Sequence, residues 1–273
     1  MKYADLHIHS NYSDGSMTPE DIIETALEIG VKNISITDHD SISSQYIVDK
    51  EYCGINIIPG IELSTEYDDI ELHILGYFLD VDNIELRQTV ERLNKARLDR
   101  VERILFNLRK DNINLSLDDL KDDFKSTVGR SHVAKAMVRK GYFKNYKSAF
   151  TSYLVKGKPA YVKGEKLTYK EAIQVINNSG GISILAHPGQ IYKTLAVEKI
   201  VKDLKFYGLK GVEVYHPSHS TQQTNSFHNL CKKHRLIITG GSDFHDKEAS
   251  KDNLIGSYGI NEDLFNRLIN SIK

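Results

Sequence analysis

Seven short apolar runs, most of them rich in β-branched residues, alternate along the chain with stretches whose apolar positions recur at helical spacing. This alternation predicts repeated βα units and a parallel sheet, because each helix returns the chain to start the next strand in the same direction. Seven such units favour a barrel over a Rossmann sheet. The predicted strands are Tyr3–Leu6, Asn33–Thr37, Asn56–Ile61, Leu72–Phe78, Ile182–Ala186, Gly211–Tyr215 and Leu236–Thr239.

Capping residues mark where several helices begin. Thr18-Pro19-Glu20-Asp21 combines an N-cap threonine with a proline at the first helical position. Thr168-Tyr169-Lys170-Glu171 has the capping-box pattern, in which the threonine and glutamate side chains each accept from the other's main chain. Further amphipathic helices are predicted at Asn225–Lys233 and Asp263–Ile272.

The alternation of strands and helices stops in the middle of the chain. Asn83 is positioned to cap a long helix that begins near Glu85, and no convincing strand follows until after Glu165. Further helical patterns lie around Leu117–Asp122, His132–Arg139 and Lys147–Tyr153. We therefore predict a barrel formed by residues 1–84 and 166–273, with a small helical subdomain, residues 85–165, inserted between the fourth and fifth strands.

Charge is unevenly distributed, although the whole chain carries a formal charge of only −1. The segment 85–165 has 19 Lys and Arg against 10 Asp and Glu, a balance of +9, which leaves −10 for the rest of the chain. An acidic body with a basic insertion fits a cation site in the body and an anionic ligand at the insertion.

Several classes of protein are disfavoured by the sequence. Two cysteines, Cys53 and Cys231, give neither a disulfide framework nor a cysteine-based zinc site. The N-terminus lacks the apolar segment of a secretory signal, and no apolar run approaches the roughly 18 residues that span a bilayer. We therefore expect a cytoplasmic protein with no membrane partner, and no obligatory protein partner is inferred. Glycine-rich nucleotide-binding motifs are also absent from the sequence.

Histidines and isolated acids recur at or near the ends of the predicted strands. They are His7, His9, Asp14, His39, Glu62, His73, His187, His216, Asp243 and His245. One histidine after a strand is usually a core or surface residue, but the C-terminal strand ends of a βα barrel face a single mouth, where active sites lie. Imidazole with carboxylate, in the absence of thiolate, suits zinc, manganese or iron. The pattern therefore predicts a metal centre at the barrel mouth.

These motifs resemble those of the PHP (polymerase and histidinol phosphatase) superfamily, in order and over nearly the whole chain. The matching segments are Asp5-Leu6-His7-Ile8-His9-Ser10, Thr37-Asp38-His39-Asp40, Gly60-Ile61-Glu62, His73-Ile74-Leu75-Gly76, Ala186-His187-Pro188 and Ser242-Asp243-Phe244-His245. The resemblance implies an α/β fold, a distorted (β/α)7 barrel, with about three divalent ions (Mn²⁺, Zn²⁺ or Fe). It implies as metal ligands His7, His9, Asp14, His39, Glu62, His73, His187, Asp243 and His245.

One branch of the superfamily is most similar, the 3′,5′-nucleoside bisphosphate phosphatases together with the related 5′-to-3′ exoribonucleases. The similarity rests on Asp14, where many PHP proteins have histidine, on the chain length, on the helical insertion and on the segment Val128–Ala134. Ser131, inside that segment, stands where the branch often has proline. The expected substrate is thus a phosphorylated small molecule or a short RNA.

The expected chemistry is hydrolysis of a phosphate ester by a metal-activated hydroxide, since clustered divalent ions lower the pKa of a shared water and polarise a phosphoryl oxygen. Glu62 is the best candidate for a carboxylate that bridges two ions. His39 or His216 is expected to position the phosphate or to protonate the leaving oxygen, and the sequence leaves both assignments open.

Substrate contacts are predicted on the insertion. Arg97 and Arg100 are three residues apart on the long helix and so share a face. Arg130 precedes a predicted helix N-terminus, an arrangement suited to an anion. The predicted substrate-binding residues are Arg97, Arg100, Arg130, His132 and His216.

The sequence also suggests roles for two other groups of polar residues, and the structure can test them. Asp5, Asp38 and Asp40 either orient metal-ligating imidazoles or cap turns. His228 and His234 lie on a predicted surface helix and are expected to be solvated.

Three alternatives remain for the function. A phosphatase for a small metabolite such as histidinol phosphate is disfavoured by the basic insertion, because one phosphate needs little of that charge. A noncatalytic metal-binding module is disfavoured by the complete set of ligand residues. An amidohydrolase would share the same metal chemistry, which the fold alone does not exclude.

Overall fold

A computed structural model describes residues 3–48, 50–121, 124–191, 197–246 and 254–272. Its strands are β1 (Ala4–Ile8), β2 (Asn33–Ile36), β3 (Asn56–Ile57), β4 (Gly60–Tyr67), β5 (Ile70–Tyr77), β6 (Leu167–Thr168), β7 (Ile182–Leu185), β8 (Gly211–Tyr215) and β9 (Ile237–Gly240). Its α-helices are α1 (Pro19–Glu28), α2 (Ile84–Arg109), α3 (Arg130–Arg139), α4 (Tyr146–Tyr153), α5 (Tyr169–Asn178), α6 (Val197–Phe206), α7 (Thr221–His234) and α8 (Glu262–Asn270). Short 3₁₀ helices cover Ser43–Ile47 and Pro188–Gln190.

Two sheets meet to form a closed ring of strands. One sheet has the order β1-β2-β3 and the other the order β6-β4-β5-β7-β8-β9. Main-chain hydrogen bonds join them on both sides: the Asp40 N–H donates to Glu62 O in β4 (2.8 Å), and the His9 N–H donates to Phe244 O just after β9 (2.9 Å). The order around the ring is therefore β1-β2-β4-β5-β7-β8-β9, which confirms the predicted α/β fold and is consistent with a seven-stranded barrel.

One strand of the ring contradicts the predicted parallel sheet. β5 runs antiparallel to both of its neighbours, β4 and β7. The cause is the connection: β4 and β5 are joined by only Asp68 and Asp69, both with positive φ (45° and 63°), and a two-residue hairpin turn necessarily reverses the chain. The reversal places the first half of β5 at the barrel mouth.

The third predicted strand, Asn56–Ile61, is also wrong in its extent. It is divided into β3 and β4 at Ile58-Pro59, where the proline has no N–H to donate to a sheet. β4 then continues to Tyr67 and becomes one of the two longest strands described. The two-residue strand β6, which pairs in parallel with β4, was not predicted.

The helix starts agree closely with the predicted caps. Thr18 and Thr168 each form a capping box, at α1 and α5, and the Asn83 side chain accepts from the Leu86 N–H at the start of α2. Residues 117–120 form a bend and a turn rather than the predicted helix, Lys121 has a 3₁₀ conformation, and Asp122 of that prediction lies outside the described residues. Among the described helices, none combines the length and the apolar character needed to cross a membrane.

Helix α2 belongs to two hydrophobic cores. Its first turns bury Leu86, Val90 and Leu93 in the main cluster of the barrel. Its later turns bury Val101, Ile104, Leu105 and Leu108 in a separate cluster with residues of α3 and α4. The boundary between the barrel cluster and the cluster of the inserted helices therefore lies within α2. This continuous helix holds the inserted helices against the barrel mouth. That residues 85–165 act as a subdomain stays a prediction.

Candidate active site

The nine predicted metal ligands meet at one end of the barrel. Each of them offers a nitrogen or oxygen atom to a group of three or four such residues whose atoms lie within 4.8 Å of one another. His7 and His9 point to the same side because they are two apart in β1. His73 reaches the mouth because β5 is reversed: its main-chain oxygen accepts from the Ala186 N–H, directly after β7.

Glu62 lies at the centre of this group and is completely buried. Its Oε1 is 2.9 Å from both His73 Nδ1 and His187 Nε2. Its Oε2 is 2.9 Å from His39 Nδ1 and 3.3 Å from His9 Nε2. The two carboxylate oxygens therefore face different imidazoles, the arrangement that a carboxylate shared by two ions requires.

Two further acids lie beside Glu62 within the same group. Asp243 Oδ1 is 3.2 Å from His9 Nε2 and 3.3 Å from His7 Nε2. Asp14 Oδ1 is 3.3 Å from His245 Nε2 and 3.9 Å from His9 Nδ1. Asp14, the acid at the position where many PHP proteins have histidine, thus has its carboxylate directed into the centre.

The donor atoms fit divalent metal ions. Within the described structure, four buried atoms of this group form no hydrogen bond of acceptable geometry: His9 Nδ1, Asp14 Oδ1, His39 Nδ1 and Glu62 Oε2, although the last two lie only 2.9 Å apart. Such atoms are costly to bury unless something else satisfies them. Two atoms that bind one zinc ion tetrahedrally at about 2.0–2.1 Å lie roughly 3.3 Å apart. The separations around Glu62 and Asp243 are close to that value, so the side chains are already near a ligating arrangement.

The electrostatics also favour positive charge at this position. Burial raises the pKa of Glu62, but the imidazoles of His39, His73 and His7 outweigh it and hold this pKa well below its usual range. Burial lowers the pKa of His9, yet its contacts with Asp243 and Glu62 raise the pKa to about 10. The carboxylates therefore stay ionised and attract either protons on the imidazoles or metal ions.

Glu213 is a buried acid of the site that the sequence analysis missed. Its Oε1 lies 3.0 Å from His7 Nδ1, and its Oε2 accepts from the His187 N–H at 2.7 Å. A carboxylate at Nδ1 favours the tautomer whose proton is on Nδ1, which leaves Nε2 of His7 for a metal ion. The available signal was an acid inside the otherwise apolar strand Gly211–Tyr215.

Asp5 and Asp38 hold loops rather than imidazoles, so the turn-capping alternative is correct for them. Asp38 accepts the Ser10 N–H (2.8 Å) and the hydroxyls of Ser10 (2.7 Å) and Ser13 (2.6 Å). Asp5 accepts the Ser242 N–H at 2.9 Å. These contacts fix the two segments that carry Asp14 and Asp243. Burial raises the pKa of Asp5 to about 6, and its main-chain contacts oppose this shift.

Backbone conformation contributes to the placement of two candidate ligands. His187 and Asp243 have φ of 26° and 51°, in the left-handed region that non-glycine residues rarely adopt. Such strained residues persist where the surrounding structure fixes them, and they are frequent at functional sites. Gly241 is required nearby, because a Cβ at this position would collide with the main chain of His7.

His216 is more deeply buried than expected for the residue that was predicted to contact substrate. It is 2% exposed, its Nδ1 is 2.8 Å from Ser218 Oγ, and its Nε2 is 3.2 Å from Asp243 Oδ2. Both ring nitrogens are thus directed into the protein, which favours a role in positioning Asp243. His39, by contrast, lies where the centre opens toward solvent.

Two more histidines differ from their predictions. His132 was predicted to bind substrate, but its Nδ1 accepts from the Gly129 N–H and its Nε2 lies 2.9 Å from Ser13 O. It therefore joins the start of α3 to the loop that carries Asp14, which is a structural role. His234 was predicted to be solvated, but its Nε2 lies 3.1 Å from Glu198 Oε1 and its side chain is 15% exposed.

A cleft extends from the centre, between the barrel and the inserted helices. Its lining includes the candidate ligands Asp14, His39 and His73 and the cations Arg97, Arg100, Arg130 and Lys166. Two of these cations have close acid partners. Arg97 donates from Nε to Asp40 Oδ2 at 2.7 Å, and Lys166 Nζ is 2.7 Å from Glu71 Oε1. Asp40 therefore pairs with an arginine of the insertion and does not orient an imidazole.

Arg100 differs from the other cations of the cleft, because no ion pair involves it among the described residues. Its Nε donates to Val162 O at 2.8 Å. Burial, together with the neighbouring charges of Arg130 and Arg97, lowers the pKa of Arg100 to about 10. Crowded, poorly compensated cations attract an anion. Arg130, whose guanidinium is 3.8 Å from Glu71 Oε1, is only weakly compensated.

An α/β barrel with buried carboxylates and imidazoles gathered at its mouth belongs to the class of metal-dependent barrel hydrolases. The particular family follows from comparison with known proteins. Residues 5–214 match the family described as the PHP domain. The chain therefore belongs to the PHP family, in agreement with the resemblance found in its motifs.

Curated relatives cover most of the chain. The 5′-3′ exoribonuclease Rnm of Escherichia coli K12 is 31% identical over 248 residues, which is 88% of this chain and 84% of that protein. The 3′,5′-nucleoside bisphosphate phosphatase of Chromobacterium violaceum is 30% identical over 251 residues, 90% of this chain and 88% of that protein. A solved structure from Bifidobacterium adolescentis, assigned as a metal-dependent phosphoesterase, has a TM-score of 0.89 and 26% identity, covering 98% of this chain and 96% of that one.

Proposed function

We propose that this chain is a metal-dependent phosphoesterase whose substrates are nucleoside 3′,5′-bisphosphates and short 5′-phosphorylated RNA. The observation that carries the proposal is the cationic cleft beside the candidate metal centre, with Arg100 lacking an acid partner among the described residues. A substrate with two phosphates on one ribose would present one to the centre and the other to the cleft. The names of the two curated relatives are consistent with such substrates.

We further propose three divalent ions, Mn²⁺, Zn²⁺ or Fe, as the cofactor. The candidate ligand groups are His7, His9 and Asp243; His39, Glu62 and His73; and His9, Asp14, His39 and His245, with His187 beside Glu62. When bound, such ions lower the pKa of a coordinated water and neutralise charge on the phosphoryl oxygens.

The chain's own residues supply orientation and charge. Glu213 holds the ring of His7, and Asp38 holds the loop of Asp14, so these groups need little rearrangement during the reaction. Arg100 and Arg130 bind the second phosphate by charge-assisted hydrogen bonds and so fix the distance of the scissile ester from the centre. His39 borders both the centre and the cleft, and it is better placed than His216 to reach the substrate.

The rival substrate class is a small metabolite such as histidinol phosphate, which carries one phosphate and a cationic amine. This ligand would gain little from Arg100 and Arg130 and would be repelled by them. A noncatalytic metal-binding module remains the alternative of another class. It is disfavoured because all nine candidate ligands are present and fall in overlapping groups of three or four residues.

The proposal predicts a substrate preference in a manganese-supplemented assay. We expect 3′-phosphoadenosine 5′-phosphate or short 5′-phosphorylated RNA to exceed histidinol phosphate in kcat/KM by at least about tenfold, roughly 1.4 kcal/mol of transition-state discrimination. The physical reason is the second anionic group, which the cleft cations bind. Equal or faster hydrolysis of histidinol phosphate, measured side by side, would contradict the nucleotide assignment while leaving a metallophosphatase.

A second prediction concerns Arg100. Arg100→Ala should raise KM for a nucleoside bisphosphate by about tenfold, since a hydrogen bond to a charged group contributes roughly 1.5–3 kcal/mol. KM for a generic aryl phosphate should change little, because that substrate reaches only the centre. Arg103→Ala is the matched control: it removes the same charge from an exposed position of the same helix. An equal rise for both substrates would mean that Arg100 is structural or contacts only the scissile phosphate.

A further inference from the structure

Two aromatic rings line the cleft, and neither is among the residues proposed above to bind phosphate or metal. Tyr146 and Phe150 lie one helical turn apart on α4, and their rings are stacked, with centroids 5.6 Å apart and planes at 24°. The guanidinium carbon of Arg130 lies 5.4 Å from the centroid of Phe150, within cation–π distance of the ring. Both rings belong to the cleft that also contains Arg100 and His39.

The two rings differ in how the protein holds them. Phe150 packs against the hydrophobic cluster of the inserted helices. Tyr146 is 43% exposed and belongs to none of the hydrophobic clusters formed by the described residues. Its hydroxyl also makes no hydrogen bond with any described residue. Core packing therefore does not account for Tyr146, whereas a ligand in the cleft would cover it.

We propose that Tyr146 is a stacking platform for the nucleobase of the substrate, with Phe150 and Arg130 as the residues that position it. This inference rests on the proposed nucleotide substrate. When one phosphate lies at the metal centre and the other at Arg100, the base is the remaining large group of the nucleotide. Tyr146 is an exposed flat apolar surface within the same cleft. Nucleobases stack on aromatic side chains in this way, and the contact accepts any base because every base has a π face.

Stacking on Tyr146 would let the enzyme distinguish nucleotides from base-free sugar phosphates, which the phosphate contacts alone cannot do. Cations at the centre and at Arg100 would bind a ribose bisphosphate without a base as well as a nucleotide. A stacking platform adds affinity for the base and so separates nucleotides from base-free sugar phosphates. It contributes to binding of the ground state and the transition state alike, so it should act on KM rather than on kcat.

The experiment compares Tyr146→Ala, Tyr146→Phe and wild type on two substrates, 3′-phosphoadenosine 5′-phosphate and ribose 3,5-bisphosphate. For the nucleotide, Tyr146→Ala should raise KM by about tenfold, in line with stacking contributions of roughly 1–3 kcal/mol per base, and should leave kcat nearly unchanged. For the base-free substrate, the KM of the Tyr146→Ala variant should stay near the wild-type value. Tyr146→Phe, which keeps the ring, should resemble wild type on both. Tyr207→Ala, an exposed tyrosine at the end of α6 and outside the cleft lining, is the control.

These measurements distinguish failure of the stacking role of Tyr146 from failure of the proposed nucleotide function. If wild type hydrolyses the nucleotide but Tyr146→Ala leaves KM unchanged, or raises it equally for both substrates, the stacking platform is overturned and the nucleotide function stands. If Tyr146→Phe is as impaired as Tyr146→Ala, the hydroxyl rather than the ring is responsible, and the inference is again overturned. A wild-type enzyme that hydrolyses neither bisphosphate would overturn the proposed function, and with it the inference.

Discussion

Asp243→Ala is expected to reduce turnover of phosphate esters by at least about a thousandfold, which corresponds to roughly 4 kcal/mol of transition-state stabilisation. Asp243 lies within 3.3 Å of the Nε2 atoms of His7, His9 and His216. Its loss removes a carboxylate from a group in which several imidazoles converge, so the protein should lose bound metal together with activity.

The measurement pairs turnover with metal content and a thermal unfolding curve for the same preparation. The barrel should remain folded, because Asp243 contributes to the mouth and not to the hydrophobic clusters. Asp99→Ala, which removes an exposed acid from α2, is the control and should keep its metal and activity. Purified Asp243→Ala that retains wild-type turnover would refute the metal mechanism.

Glu213→Gln is expected to lower metal affinity by roughly 10- to 100-fold, the usual range for residues that orient metal-ligating histidines. The native carboxylate receives two donors, His7 Nδ1–H and the His187 N–H. Glutamine keeps one oxygen but replaces the other with an NH₂ group that cannot accept, so one of the two contacts must be lost. The ring of His7 or the strained backbone at His187 would then be less well fixed.

Competition with a metal chelator would measure this affinity, and excess metal should restore much of the activity. Glu102→Gln, at an exposed position of α2, provides the control for the same chemical change. Unchanged metal affinity with a lowered melting temperature would show that Glu213 serves the fold and does not orient His7 for metal.

Much of the architecture could be predicted because it depends on short stretches of sequence. Period-two spacing places His7 and His9 on one side of β1, and local caps at Thr18, Asn83 and Thr168 set the helix starts. Alternating strands and helices then imply a single mouth, where the strand-end histidines and acids must gather. These features follow from the residues themselves and from their near neighbours.

Tertiary structure alone decided the features that join distant parts of the chain. The contact of His7 with Glu213 spans 206 residues, and the pair of Arg97 with Asp40 spans 57. The sequence determined that histidines and acids would collect at the barrel mouth and that a basic helical segment would lie between two strands. It did not determine that His132 would be structural or that Glu213 would orient His7. Such pairings depend on the direction of each side chain and on which remote segment packs against it, and no local pattern encodes either.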